Sequence, residues 1–489
     1  MAHNRAATPL DRLSTGSPEL DEILGGGLPA RSVNVIAGDP GTGKTVFALQ
    51  MLFHLARQGK KCLYFTTLSE PAMKVIRYLQ VFPFFDEALV DDRVFFADLG
   101  STLRQSAETA LAEVAARVER DQPDVVAIDS FKALHDLLSE SRRGRVLIYD
   151  LAVQMAGWGA TTLLIGEYAP HEAATHAEFA IADGIIRFIN EPMELTSVRM
   201  IEVLKLRGTN YLTGRHFFEI GPDGLSFYPR IRPPQLTVGA QTPTDRVQTG
   251  VEGLDELLGG GLPRASATLV EGGTGTGKTL LGLTFLMEGA RRGEPGLLLT
   301  LEETPEQLRW VASGVGWDLA TLEAQGLLSL IYTSPVELSP DRFLHEARRH
   351  VETLGVRRVV LDSLTALFVG VPSERRYKEL VYSLTKHLRR LGVTLLTTME
   401  VAELLGAAQI TGRGISSITD NAILLRYVEM GGRLERAICV IKARGVKHQL
   451  ELRRLVIDSD GVHFGPPFTD LRGVLTGMPV PVDNAPGPI

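Results

Sequence analysis

The sequence predicts an α/β fold built twice in tandem, with a mainly parallel central sheet in each copy. Three observations carry that prediction. The chain repeats itself, apolar strand-like runs alternate with helical patterns, and one glycine-rich turn recurs in both halves.

The repeat comes first, because it sets the architecture. Residues 11–52 begin DRLSTGSPELDEILGGGLP, continue through VNVIAGDPGTGKT and end in VFALQML. Residues 245–286 begin DRVQTGVEGLDELLGGGLP, continue through ATLVEGGTGTGKT and end in LLGLTFL. The landmarks shift at one constant offset: Gly16 to Gly250, Asp21 to Asp255, Lys44 to Lys278. Later, Ala127-Ile128-Asp129-Ser130 answers to Val360-Leu361-Asp362-Ser363, Lys205-Leu206-Arg207-Gly208 to Lys442-Ala443-Arg444-Gly445, and Gly224-Leu225-Ser226-Phe227 to Gly461-Val462-His463-Phe464. Solenoid repeats run only ~20–50 residues, so a repeat of this span is a duplicated domain. The expected division is a first domain over 1–230, a proline-rich linker over 231–245, a second domain over 246–477 and a loose tail over 478–489.

The strand reading rests on short apolar runs. In the first copy they are Val33–Ala37, Cys62–Thr66, Val125–Ile128 and Thr161–Ile165. In the second they are Ala267–Val270, Leu297–Thr300, Val359–Leu361 and Val393–Leu396. Continuous apolar runs suit strands covered on both faces, and alternation with helices implies parallel pairing.

Composition bounds the rest. At 489 residues, with 44% hydrophobic and 22% charged residues, the chain has material for two sizeable cores. Its two cysteines, Cys62 and Cys439, fall in separate apolar runs and read as buried free thiols of a reducing compartment. The N-terminus lacks a signal-peptide layout and no run reaches the ~20 apolar residues of a membrane-spanning helix, so a cytoplasmic location is expected, without a membrane. A net charge of −7 weighs against wrapping nucleic acid.

The recurring turn carries the chemistry. Gly38 through Thr45 (GDPGTGKT) and Gly272 through Thr279 (GTGTGKT preceded by Gly272) both fit G-x-x-x-x-G-K-[ST]. Glycines (Gly38, Gly41, Gly43; Gly272, Gly275, Gly277) and their neighbours Thr42 and Thr276 let successive backbone N–H groups face phosphate oxygens. The helix that follows presents its positive end to the anion. Lys44 and Lys278 are expected to reach the β- and γ-phosphates of ATP, and the Thr45 and Thr279 hydroxyls to ligate Mg²⁺. Asp129 and Asp362 end later apolar strands, where a Walker B aspartate holds Mg²⁺; capping the next helix is their alternative role. A carboxylate after the strand that follows the P-loop helix can polarise an attacking water or hydroxyl. The second copy offers Glu302 and Glu303. The first reads Thr67-Leu68-Ser69-Glu70-Pro71, which leaves Glu70, and a surface-loop role is the alternative for each.

With these residues in place, the chain resembles the KaiC family, tandem RecA-like ATPases that include the autokinase of the cyanobacterial circadian clock. The paired P-loops, the LDELLGGGLP preamble, Glu302-Glu303 and the Lys-x-Arg-Gly late in each copy carry the resemblance, over about Leu13 to Pro479. It implies a two-tiered homohexamer with ATP between subunits. Lys205 and Arg207, and Lys442 and Arg444, would then reach the neighbouring subunit's γ-phosphate, whereas without the resemblance they read as a solvated strand edge. It also implies that Ser416 and Ser417 are phosphoacceptors; taken alone, they read as turn serines before the strand Ala422–Arg426. The first copy has Phe179-Ala180 there and no acceptor. The family's first domain usually carries two adjacent glutamates, and Ser69 departs from that, which puts hydrolysis in the first copy in question. The short tail after Met478 does the same for tail-dependent partner contacts, while the resemblance implies a KaiB-like or other signalling protein as partner. The competing functions are a RecA- or DnaB-like DNA-handling motor, which the absence of a dense basic run disfavours, and a nucleotide-gated scaffold without kinase activity.

Overall fold

The structure, a computed structural model, describes residues 10–67, 71–139, 142–169, 172, 176–193, 196–231, 245–371, 373–401, 415, 417–430, 432–468, 471–473 and 480–481. It divides into two compact units, Met1–Arg230 and Ile231–Ile489.

Each unit is built on a nine-stranded sheet of the same topology. In the first unit the order runs Val94–Asp98, Cys62–Thr66, Val125–Asp129, Thr161–Gly166, Val33–Gly38, Gly184–Met193, Thr196–Leu206, Arg215–Gly221, Gly224–Tyr228. The strands from Val94–Asp98 through Gly184–Met193 pair in parallel, and the last three add antiparallel. The second unit repeats this as Leu328–Tyr332, Gly296–Thr300, Arg358–Asp362, Thr394–Glu400, Ala267–Gly272, Asn421–Met430, Arg433–Ala443, Arg453–Asp458, Gly461–Pro467.

The eight apolar runs read from the sequence all lie on parallel strands, most of them a residue or two longer than the run. Val393 alone falls outside, because Leu388 O holds its N–H and the strand begins at Thr394. Burial explains the unbroken apolar character. Alternate residues of one strand enter different cores: Ile36 packs with the P-loop helix residues Ala48 and Leu52, whereas Val35 and Ala37 pack with Val114, Phe131 and Leu151. Both faces of the sheet are thereby covered. In the second unit, Val270 and Leu269 divide in the same way.

The preamble is a compact lead-in to the P-loop strand. Ser17 Oγ accepts from Leu20 N at 3.3 Å and so caps the helix Pro18–Leu24. Gly25 ends it in the left-handed region, at φ 72°. Gly27 then passes so close to the backbone that an added Cβ would meet Leu13 O at 2.4 Å, which is why the sequence keeps glycine there. Residues 232–244 of the proline-rich linker lie outside the described residues. Within the segment read as a loose tail, Val480–Pro481 pair with Leu471–Arg472 as a two-stranded ladder; an extended Val-Pro can accept ladder bonds through its carbonyls. Cys62 and Cys439 are free and buried, and burial pushes their thiols up to about 12 and about 11.

Candidate nucleotide sites

Both P-loops sit where a parallel strand meets the next helix. The strand Val33–Gly38 feeds the helix Lys44–Arg57, and Ala267–Gly272 feeds Lys278–Arg291. Between them Gly41 and Gly43 take φ 72° and 92°, and Gly275 and Gly277 take 75° and 102°. Those angles belong to the left-handed region, so only glycine turns the chain there without strain. Gly38 is needed for a different reason, since an added Cβ would meet Phe188 O at 2.3 Å.

The side chains of each loop are held by its own backbone. Thr42 Oγ1 donates to Asp39 O and Thr276 Oγ1 to Gly273 O, each at 2.8 Å. Lys44 Nζ donates to Gly38 O at 3.0 Å and Asp39 O at 2.8 Å; Lys278 Nζ does the same to Gly272 O and Gly273 O at 3.0 and 2.8 Å. Burial pulls both ammonium groups below their usual range, opposed in Lys44 by Glu167, Asp129 and Asp39, and in Lys278 by Glu400, Asp362 and Glu302. A cation so placed gains from an anion beside it.

The hydroxyl and carboxylate expected at a metal lie together. Thr45 Oγ1 donates to Asp129 Oδ2 at 2.6 Å, and Thr279 Oγ1 to Asp362 Oδ2 at 2.7 Å. Helix capping falls to the next residue instead: Ser130 Oγ accepts from Ala133 N at 3.4 Å and Ser363 Oγ from Ala366 N at 3.2 Å. The aspartates are therefore left facing the P-loop threonines. An all-oxygen pair of this kind fits Mg²⁺, which takes hydroxyl and water ligands oriented by a carboxylate.

The two sites differ beyond this frame. In the second, Ser363 Oγ donates to Glu302 Oε1, and Thr398 Oγ1 to Asp362 Oδ1. Glu303 is half-buried, with Oε2 lacking a hydrogen-bond partner, and its carboxyl is pushed up by burial, then by Asp362 and Glu302. In the first, Tyr64 OH donates to Asp129 Oδ2 at 2.7 Å, a position held by Leu298 in the second. Glu70 lies outside the described residues. Strand register does correct its alignment: Thr66 opposes Asp129 as Thr300 opposes Asp362, so Thr66, not Thr67, answers to Thr300. Counted along the sequence from Thr66 and Thr300, Leu68 and Ser69 align with Glu302 and Glu303, and Glu70 with Thr304, all three of the former lying outside the described residues. The same offset pairs Pro71 with Pro305.

Sequence reasoning also missed Glu167 and Glu400. Each follows or ends the strand beside the P-loop strand and acts on the P-loop lysine, and Glu400 accepts from Thr274 Oγ1. A carboxylate at the end of the same strand in both copies was the available signal. Tyr427 OH and Arg436 Nε, which donate to Gly275 O at 2.6 and 3.2 Å, were hidden because strands far along the chain bring them to the loop.

The Lys-x-Arg segments stand at the other edge of each sheet. Gly38 pairs with Phe188 at the P-loop edge, whereas Lys205 pairs with Ile185 and Leu206 with Gly184. The stretch Gly184–Phe188 separates them by roughly 13 Å at ~3.3 Å per residue. In the second unit Lys442 pairs with Ala422, again at the edge away from Gly272. Arg207 is exposed and lies 3.3 Å from Asp183. Lys442 Nζ donates to Thr419 O at 2.6 Å and Arg444 Nη2 to Ser417 O at 3.4 Å. The exposed Ser417 thus shares this far edge with the two cations; Ser416 lies outside the described residues.

Two copies of strand, glycine loop and helix, each with Lys, Thr and Asp at one sheet edge, define a duplicated P-loop ATPase of RecA-like α/β fold. The KaiC ATPase family matches the chain twice, over residues 13–232 and 247–468. The chain is 31% identical to the circadian clock oscillator protein KaiC of a Picosynechococcus strain over 490 residues, covering 98% of this chain and 94% of the relative. It is 32% identical over 485 residues to the circadian clock protein KaiC3 of a Synechocystis strain (96% and 95% covered), and 31% over 487 residues to the KaiC oscillator protein of Thermostichus vulcanus (97% and 93%). The chain belongs to the KaiC family of ATPases. Among the described residues, no helix is long and apolar enough to cross a membrane.

Proposed function

We propose that the protein binds Mg-ATP at both P-loops within a homohexamer, hydrolyses it, and transfers phosphate to Ser416 or Ser417 of the second domain, in clock-type signalling with other proteins. The observation that carries this reading is the placement of Ser417, Lys442 and Arg444 together at the sheet edge opposite their own P-loop. Groups on that edge cannot serve the nucleotide of their own domain. They suit the nucleotide of a neighbouring subunit, as in the assemblies suggested by the clock relatives. Lys44 and Lys278 would hold the phosphates, and Thr45 with Asp129 and Thr279 with Asp362 would hold Mg²⁺. When bound, the ion neutralises charge on the β- and γ-phosphates. Glu302 and Glu303 orient or deprotonate the attacking hydroxyl, and Lys442 and Arg444 meet the charge that develops on the transferred group.

Intact mass tests the reading directly. Purified protein incubated with Mg-ATP should gain the mass of phosphate, mapped to Ser416 or Ser417, and Ser416→Ala/Ser417→Ala should gain none. Turnover without any phosphoprotein, in wild type starting unmodified, would leave an ATPase and remove the kinase.

A further inference from the structure

A second cluster of ligating side chains lies in the first unit, outside the nucleotide machinery. His135 stands on the helix Phe131–Ser139, and Glu178, fully buried, on the helix Ala177–Ile181, with His176 just before it. Their ligand atoms all lie within 4.8 Å of one another. His135 Nδ1 is 2.9 Å from Glu178 Oε2, and His176 Nδ1 is 3.5 Å from Glu178 Oε1. The His176 Nδ1 atom is shut off from solvent and makes no hydrogen bond. The two imidazoles lie parallel with centroids 4.1 Å apart, so both rings address the same carboxylate. Supporting groups surround them: Tyr168 OH donates to Glu178 Oε1 at 2.8 Å, and Glu172 Oε1 faces the other ring nitrogen of His176 at 3.9 Å. At that distance Glu172, which also pairs with Lys132 at 3.2 Å, offers His176 a nearby charge rather than a hydrogen bond.

The duplicated fold shows that this polarity is not a requirement of packing. Phe368 stands as far from Ser363 as His135 stands from Ser130, and Ile415 as far from Asp420 as Glu178 from Asp183. Ile415 belongs to the apolar core of the second unit, and the half-buried Phe368 packs against that core. Where one copy packs a half-buried phenylalanine and a buried isoleucine, the other buries a histidine and a glutamate, at a cost in desolvation that calls for compensation.

We propose that His135, His176 and Glu178 form a zinc-class divalent metal site, bound through the two Nδ1 atoms and a Glu178 oxygen, with water as the fourth ligand. Two imidazoles and one carboxylate with an open position are a donor set suited to zinc. Bonds of ~2.0–2.1 Å require the three atoms to draw together, which a tilt of the stacked rings accomplishes. The ion replaces the proton shared by His135 and Glu178, and that proton leaves to solvent. Closure would tie the helix after Asp129 to the segment leading into the strand Gly184–Met193.

The test uses the full chain, stripped with chelator, in the presence of saturating Mg-ATP. Titration with Co²⁺ should produce the intense visible bands of a four-coordinate ion, which a six-coordinate ion on nucleotide phosphate lacks, and Zn²⁺ should abolish them at one equivalent per chain. His176→Gln and Glu178→Gln should each lower affinity at least 10-fold. The double variant His135→Phe/Glu178→Ile, which copies the second unit, should fold and bind ATP yet show no such bands. No bands in the wild type, or equal bands in that well-folded double variant, would overturn the site.

Discussion

At the residue scale, the most consequential groups are carboxylates whose surroundings set their protonation. Glu271 is buried in the P-loop strand of the second unit, with Oε1 unpartnered, and burial alone pushes its carboxyl up to about 7. The folded state therefore holds a proton that the unfolded chain releases near the ordinary glutamate value. Between those two values the folded state binds more protons than the unfolded state, so stability falls as pH rises, and the loss is complete above the folded value. Its size is on the order of 3 kcal/mol. Glu271→Gln should flatten the decline of the unfolding midpoint between about pH 4.5 and 7; an unchanged slope would place the titration elsewhere. Glu303 raises a catalytic version of the same question. Burial first, then Asp362 and Glu302, push its carboxyl up, so a base function there is lost at a higher pH than for free glutamate. Glu302→Gln removes one of those charges and should shift the acid limb of phosphoryl transfer to lower pH. If that single variant is inactive, Glu302 and not Glu303 is the base. The double variant Glu302→Gln/Glu303→Gln should bind ATP and not transfer phosphate.

At the element scale, strand, glycine loop and helix form one device, repeated with different bracing. The second loop is braced by Tyr427 and Arg436 on Gly275 O, whereas around Gly41 an added Cβ would meet nothing within 4 Å. A brace on the loop lowers the cost of ordering it around phosphate. Tyr427→Phe removes one hydrogen bond, worth about 1 kcal/mol, and should weaken ATP at the second site roughly 5-fold. Nucleotide titration in a Lys44→Ala background reads that site alone, and unchanged affinity would mean that the loop is already ordered without Tyr427. Replacing both lysines, Lys44→Ala with Lys278→Ala, should leave mainly monomer in sedimentation with Mg-ATP, because ligand bound at an interface favours assembly by linkage. Hexamers that persist would remove ATP from the assembly argument.

At the scale of the whole molecule, the phosphoryl transfer proposed above would run between subunits, because Ser417, Lys442 and Arg444 stand at the end of the sheet away from their own P-loop. A Lys278→Ala chain co-assembled with a Ser416→Ala/Ser417→Ala chain should become labelled, using ATP held by its neighbour. Absence of label on the Lys278→Ala chain in verified mixed hexamers would defeat that mechanism. Much of the frame for this was legible in the residues themselves. The duplication, the alternating apolar runs and both P-loops are local patterns, set by spacing and by the conformations only glycine adopts, and Thr45 and Thr279 fall beside Asp129 and Asp362 because parallel strands end at one edge. Other features depend on which strands lie side by side, and spacing along the chain carries no record of that. Pairing of Thr66 with Asp129 sets the alignment around Glu70; the parallel strand Asn421–Met430 and its antiparallel neighbour Arg433–Ala443 bring Tyr427 and Arg436 to a distant loop; and the fold alone gathered His135, His176 and Glu178. By itself, the sequence determined the architecture and the phosphate-binding loops, since those rest on backbone geometry within a few residues. Only the tertiary structure decided which edge holds Ser417 with Lys442 and Arg444, because the direction and register of pairing between strands, rather than any local preference, set the end of the sheet at which a side chain emerges.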